Sequence, residues 1–110
     1  MVLNASILIP VFNGEAYLTE CLVSVFDSIG NLKCEVVVVD DGSTDTTPNI
    51  LNKFSRLHEN LVVLTQANSG IEAALNVGIK ECSGDMVLRM PSDDVMLPHR
   101  VGRQVQILTE

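Results

Sequence analysis

No stretch of this 110-residue chain is apolar for long enough to span a bilayer. No leader is visible either, because Met1 to Ile9 is short and lacks a basic start. Positive charge is scarce. Lys and Arg total 7 against 14 Asp and Glu, a net charge of −7, which argues against a nucleic-acid backbone as partner. A phosphorylated ligand would need its repulsion offset, and a bound divalent cation is the usual device. Paired cysteines are missing too. Cys21, Cys34 and Cys82 are odd in number, form no C-x-x-C and sit in apolar surroundings, as reduced core thiols of a cytosolic protein do. No G-x-G-x-x-G follows the first apolar run and no G-x-x-x-x-G-K-[ST] occurs, which removes that type of dinucleotide fold and the P-loop. His58 and His99 lack a second histidine at metal-ligand spacing and read as surface residues. No Ser/His/Asp nucleophile arrangement, internal repeat or low-complexity tract is found.

What remains is a chain 46% apolar, enough for the core of one domain or part of one. It is organised around Cys34 to Asp45. Four consecutive valines, Val36 to Val39, lack polar alternation and suit a strand buried on both faces of a parallel sheet. Asp40 and Asp41 follow where that strand leaves the sheet, and Gly42-Ser43-Thr44-Asp45 reads as a turn into a helix. Ligands of open parallel sheets bind at such carboxyl ends. Taken alone, the pair could equally be a polar turn with an Asp cap.

The rest of the chain repeats the pattern. Ala5 to Pro10 reads as a first strand and Val11 to Gly14 as a turn with Asn13 as N-cap. A helix is predicted from about Glu15 to Ser28, with Leu18, Leu22, Val25 and Ile29 inward. Glu15 sits in its first turn, where the dipole favours a carboxylate. Thr47-Pro48 starts a second helix with the stripe Ile50, Leu51, Phe54 and Leu57. Leu61 to Leu64 is a third strand. Ser69 and Glu72 have capping-box spacing before a helix expected to bury Ile71, Leu75, Ile79 and Cys82. Asp85 to Met90 is a fourth strand, followed by Pro91-Ser92-Asp93-Asp94. A last helix from near Pro98 carries Val101, Val105 and Leu108. Strand–helix four times over predicts an α/β sandwich with a parallel sheet and right-handed crossovers.

Three polar clusters then emerge at one sheet edge: Phe12-Asn13, Asp40-Asp41 and Ser92-Asp93-Asp94. Phe12 could be a buried aromatic or a platform for a flat base. Asp41 could accept from a base's ring N–H. Asp93 could hold a hard divalent cation bridging two phosphates, or with Asp94 could cap the helix before Pro98.

Ser6 to Gly14, Val38 to Asp45, Asn68-Ser69-Gly70 and Ser92-Asp93-Asp94 with Leu97-Pro98 and Arg100 resemble the inverting nucleotide-sugar glycosyltransferases of the GT-A fold, family 2 type. The likeness runs from Ala5 to about Leu108. It implies a Rossmann-like three-layer sandwich with strand order 3-2-1-4. It implies a donor site from Pro10, Val11, Phe12, Asn13, Glu15, Asp40, Asp41, Asn68, Gly70, Ser92 and Asp93. Pro10 to Asn13 would line the base and ribose pocket, and Asp41 would pair with uracil or another base, supported by Asp40. Asp93, last of the segment standing where the family has D-x-D, would bind Mg2+ or Mn2+ when nucleotide is present. The implied donor is a nucleoside-diphosphate sugar, UDP-sugar first, and the acceptor a glycan, lipid or protein. The transferred sugar would be a hexosyl or N-acetylhexosaminyl group.

Two positions depart from the family. Pro91 replaces the usual first Asp of D-x-D, and Leu75 stands where many members carry Arg. The family's acceptor base and pocket lie downstream of D-x-D, so residues 1–110 are expected to be the donor-binding half of a longer protein, inactive alone. No catalytic residue is assigned within it. Its expected place is the cytoplasm, peripheral at the inner membrane face in the full-length protein. A homodimer through the face near Met86 to Met90 is a further expectation. A degenerate sugar-nucleotide module, kept open by Pro91, is the alternative. A nucleotidyltransferase would show a glycine-rich basic loop after the first strand, and a receiver-type signalling domain an acidic pair there. This chain has Pro10-Val11-Phe12-Asn13.

Overall fold

The computed structural model describes residues 4–109, and side chains through residue 106. Eight elements alternate: β1 (Ala5–Val11), α1 (Leu18–Ile29), β2 (Cys34–Asp40), α2 (Thr47–Leu57), β3 (Leu61–Thr65), α3 (Ile71–Glu81), β4 (Met86–Arg89) and α4 (Arg100–Thr109). The strands are all parallel in the order β3-β2-β1-β4, as the resemblance implies. No helix among the described residues is long and apolar enough to cross a membrane.

The valine run explains why β2 is central. Val36 and Val38 join Ile7, Ile9 and the inward faces of α1, α2 and α4 in the larger core. Val37 and Val39 join Leu8 and Ala74 on the opposite face, under α3. All four valines are fully buried, and burial of each contributes about 2 kcal/mol. A strand polar on one face could not sit here without leaving polar groups dry. The expected inward stripe of α1 holds, with Leu18, Leu22, Val25 and Ile29 all buried.

Several helix details differ from expectation. α1 begins at Leu18 rather than near Glu15, because Tyr17 and Leu18 both donate their N–H to Gly14 O in a preceding turn. Asn13 does not cap it. Asn13 has a left-handed φ of 51° and turns its side chain to the β2–α2 loop. In α2, Leu51 and Phe54 are buried but Leu57 is exposed. Among the described residues α3 buries Ala74 and Gly78, while Ile71 and Ile79 are exposed and Leu75 and Cys82 half-buried. A Cβ at Gly78 would lie 2.2 Å from Leu8 Cδ1, so the helix rests on the sheet through its smallest residues. The larger apolar residues are left on its flanks.

Ser69 forms no capping box. Its hydroxyl donates to Ala67 O, and Gly70 is the N-cap residue of α3. α4 starts at Arg100, so Asp94 is not its cap, and Asp94 Oδ1 accepts from Val95 N instead. Val101 is buried and Val105 half-buried; the side chain of Leu108 lies outside the described residues. Cys21 and Cys34 are buried free thiols and Cys82 is half-buried. His58 is not a bare surface residue: its ring stacks on Phe26 at 3.7 Å between centroids.

Candidate functional site

Parallel strands deliver β1, β2 and β4 to one edge, and a cleft of about 480 Å3 opens there. Pro10, Val11 and Phe12 reach it from β1 and the turn beyond. Asp41 reaches it from β2, Asn68, Gly70, Ile71 and Ala74 from the start of α3 and the loop before it, and Ser92 from beyond β4. Tyr17, the residue before α1, lines it as well. Phe12 is 46% exposed, so its ring is not a core aromatic.

Asp41 is buried, and its carboxylate is the hub of the loop opposite. Oδ1 accepts from Gln66 Nε2 and Ser69 N, both at 2.8 Å. Oδ2 accepts from Gly70 N at 3.0 Å and, at 3.4 Å, from Asn68 Nδ2. The Asn68 amide also reaches Asp41 O at 3.1 Å. Asp41 therefore does for α3 what a side-chain N-cap does, from 28 residues away in sequence, by taking N–H groups at the positive end of the helix dipole. The Gln66 amide first and the Ser69 N–H next hold its pKa below the ordinary carboxylate value, outweighing the upward pull of burial, with Gly70 N–H adding to them.

Several residues expected at the donor site do not line the cleft. Asp40 is buried and its Oδ1 accepts from Ser43 N, shaping the turn that presents Asp41. Asn13 and Glu15 lace the β1–α1 loop to the β2–α2 loop. Asn13 N donates to Ser43 Oγ and Glu15 N to Asp45 Oδ2, while Thr44 N returns to Asn13 Oδ1 and Thr46 N to Glu15 Oε2. Burial pushes the Asp45 pKa up, but the hydroxyl and N–H of Thr47 and the N–H of Glu15 outweigh it and hold it low. The effect of this lacing is to tie the turn that follows Phe12 to the loop that follows Asp41.

Asp93 is exposed beside Ser92, and nothing among the described residues donates a hydrogen bond to its carboxylate. Beneath it the Cys21 thiol donates to Pro91 O at 3.7 Å. Burial, then the charges of Asp94 and Asp93, push that thiol up to about 12, so it stays protonated. Among the described residues no group of three or more His, Cys, Asp or Glu could hold a metal. The donor set fits a cation that takes one protein carboxylate and completes its shell with ligand phosphates and water, as Mg2+ and Mn2+ do. It does not fit an all-protein cage.

Tyr17, Ile71 and Ala74 line the cleft without having been expected at the donor site, Ile71 having been expected in the core. Tyr17 immediately precedes the apolar stripe of α1, and Ile71 follows Gly70 directly. Position next to a recognised motif was the available signal.

The profile of Glycosyl transferase family 2 matches residues 6–110. The glycosyltransferase GlyA of Streptococcus pneumoniae is 38% identical over 89 residues, 81% of this chain and 13% of GlyA. S. aureus TarS superposes with a TM-score of 0.88 at 33% identity, over 97% of this chain and 20% of TarS. The 1-349 portion of TarS, solved in complex with UDP-GlcNAc, gives 0.84 at 34% identity, over 96% of this chain and 30% of that one. The mannosyltransferase PcManGT from Pyrobaculum calidifontis, solved with GDP-Man and Mn2+, gives 0.87 at 23% identity, a likeness of fold, over 100% of this chain and 33% of that one. The chain thus spans a third or less of the length of each of these proteins.

Proposed function

The chain belongs to glycosyl transferase family 2, and on that premise we propose that its cleft binds the nucleoside-diphosphate sugar of a glycosyltransferase. One observation carries the reading: the half-exposed ring of Phe12 and the buried carboxylate of Asp41 line the same cleft. The ring offers a flat apolar face to a base, and the carboxylate accepts a base N–H. UDP-sugar is the favoured donor, supported by the 34% identical TarS portion solved with UDP-GlcNAc. The transferred sugar in this reading is a hexosyl or N-acetylhexosaminyl group.

Among the described residues no Lys or Arg lines the cleft, so none of them offsets the charge of a diphosphate there. Asp93 does not line the cleft itself but is exposed next to Ser92, which does, and from there it would hold Mg2+ or Mn2+ at the lip. When bound, such a cation stabilises the negative charge of the leaving nucleoside diphosphate as a Lewis acid. Inversion at the sugar carbon also needs a base to deprotonate the acceptor hydroxyl. The reading assigns no such base to residues 1–110, which form the donor-binding half. The purified chain, given UDP-GlcNAc, Mn2+ and simple glycan acceptors, is therefore expected to bind donor without releasing UDP through transfer. Transfer by this chain alone would show that the chemistry has been misplaced.

A thermal-shift panel of UDP, GDP and their sugars, with and without Mn2+, tests the reading. Native-state binding raises the melting temperature by mass action. A UDP-specific rise that is larger with Mn2+ is expected. Asp93→Ala should remove the Mn2+-dependent part, Asp94→Ala should keep it, and Pro91→Asp should enlarge it if the backbone tolerates losing proline's fixed φ. No rise with any nucleotide would sink the donor-binding reading. A parent-like response in Asp93→Ala would sink only the metal assignment and favour a non-catalytic module, the alternative that Pro91 supports.

A further inference from the structure

We propose that Gln66 is a positioning residue for nucleobase recognition, its amide pinning one oxygen of Asp41 so that the other is left to the ligand. This rests on the donor-binding reading above. Gln66 lies one residue beyond β3 and lines no part of the cleft. Its N–H donates to Asp40 O at 3.0 Å, extending the β2–β3 pairing and fixing its backbone beside Asp41. Its side chain is half-buried and donates from Nε2 to Asp41 Oδ1 at 2.8 Å.

The two oxygens of Asp41 are unequally committed. Each carboxylate oxygen has about two lone-pair sites. Both on Oδ1 are taken, by Gln66 Nε2 and Ser69 N at 2.8 Å. Oδ2 has one firm donor, Gly70 N at 3.0 Å. Its second, Asn68 Nδ2, is at 3.4 Å and has a nearer acceptor in Asp41 O at 3.1 Å. Oδ2 is therefore the oxygen with capacity to spare for a ligand N–H. Remove Gln66 and Oδ1 keeps a single donor. The distinction between the oxygens then weakens, and a donor that favours the charged form is lost. The class of base recognised follows from the charge. Uracil and guanine present a ring N–H to a carboxylate, whereas adenine and cytosine present a ring nitrogen lone pair that it repels.

Two substitutions separate this role from simple packing. Gln66→Leu keeps most of the bulk and removes the donor. Gln66→Lys replaces the donor with a charged one. UDP affinity with Mn2+ is measured by calorimetry across acidic pH, and the Asp41 carboxyl is followed by carbon NMR in the ligand-free protein. Gln66→Leu is expected to bind UDP about tenfold more weakly, the scale of one hydrogen bond to a charged group. Its acid limb should move to higher pH, because losing a donor to the charged form raises the Asp41 pKa and protonation then begins earlier. Gln66→Lys should keep the acid limb at or below that of the parent. Should the parent bind UDP and Gln66→Leu match it in affinity and pH dependence, the role of Gln66 alone is overturned. Equal weakening in both variants with an unmoved Asp41 titration overturns it too, in favour of packing. A parent that binds no nucleotide removes the donor-binding reading and this role with it, and the carboxyl titration still decides whether Gln66 holds Asp41.

Discussion

Asp41→Ala is expected to weaken nucleotide binding about 100-fold or more and to loosen the first turn of α3 in the same molecule. The affinity loss combines a missing ligand contact with the stranding of donors that now meet the carboxylate. Gln66 Nε2, Ser69 N and Gly70 N all lose their acceptor at once. Two of these are backbone groups at the N-terminal end of α3, where an unpaired N–H has no helical partner. Amide exchange from Ser69 to Leu75 should speed up, and calorimetry with UDP and Mn2+ should show little heat. Acid behaviour supplies an independent check. The Asp41 pKa is depressed in the fold, chiefly by Gln66 and then Ser69, so its contribution is complete above the ordinary value of 3.8. It fades only as pH falls through the depressed folded value. Asp41→Ala should therefore lose that part of the parent's stability at neutral pH and show a flatter acid dependence. Unchanged exchange and unchanged affinity together would remove Asp41 from the site.

The convergence of Gln66, Ser69 and Gly70 on Asp41 is a feature no sequence pattern displays. The acidic pair after a valine strand marked Asp41 as a residue at the ligand edge, and the same reasoning placed Phe12 and Ser92 there. Periodicity and turn chemistry are local, and they were enough for four strands and their helices. Gln66 is a different case. It matters only because β3 lies beside β2, which brings residue 66 against residue 41. The same limit applied to α3. Its large apolar residues recur at helical spacing, yet the sheet accepts Ala74 and Gly78, because close approach selects the smallest side chains and period alone is blind to size. Asn13 and Glu15 illustrate the reverse error. Both carry the polar chemistry of a site, and both spend it holding two loops together.

Gly84→Ala should be the most destabilising single-methyl change, costing about 3 kcal/mol in urea or thermal unfolding, at the upper end for an overpacked contact. An added Cβ would sit 2.5 Å from the Ala5 carbonyl carbon and 2.6 Å from Ser6 N. Those are backbone atoms of β1, a central strand paired on both sides, so they cannot swing away as a side-chain tip can. The neighbourhood is already committed: Gly84 N donates to Ser6 Oγ at 2.8 Å, and Ser6 and Ser83 N both donate to the buried Glu35 carboxylate. This knot sets where the chain enters β4. The register Ser6 with Val87 and Leu8 with Arg89 follows from it, and Met90 N closes the strand on Leu8 O at 2.9 Å. Ser92 and Asp93 come next, so a displaced entry is transmitted along four residues of strand to the lip of the cleft. UDP affinity should fall with stability, although position 84 lies at the opposite edge of the sheet. Gly102→Ala is the matched control. Among the described residues its new Cβ, inside α4, would meet only Leu32 Cδ1, at an ordinary 3.6 Å. Helix propensity then favours the change by up to about 1 kcal/mol. If Gly84→Ala unfolds with the parent while Gly102→Ala gains as expected, β4 is not anchored through the Gly84 contact, and the placement of Ser92 and Asp93 must come from α4 and the Cys21–Pro91 contact instead.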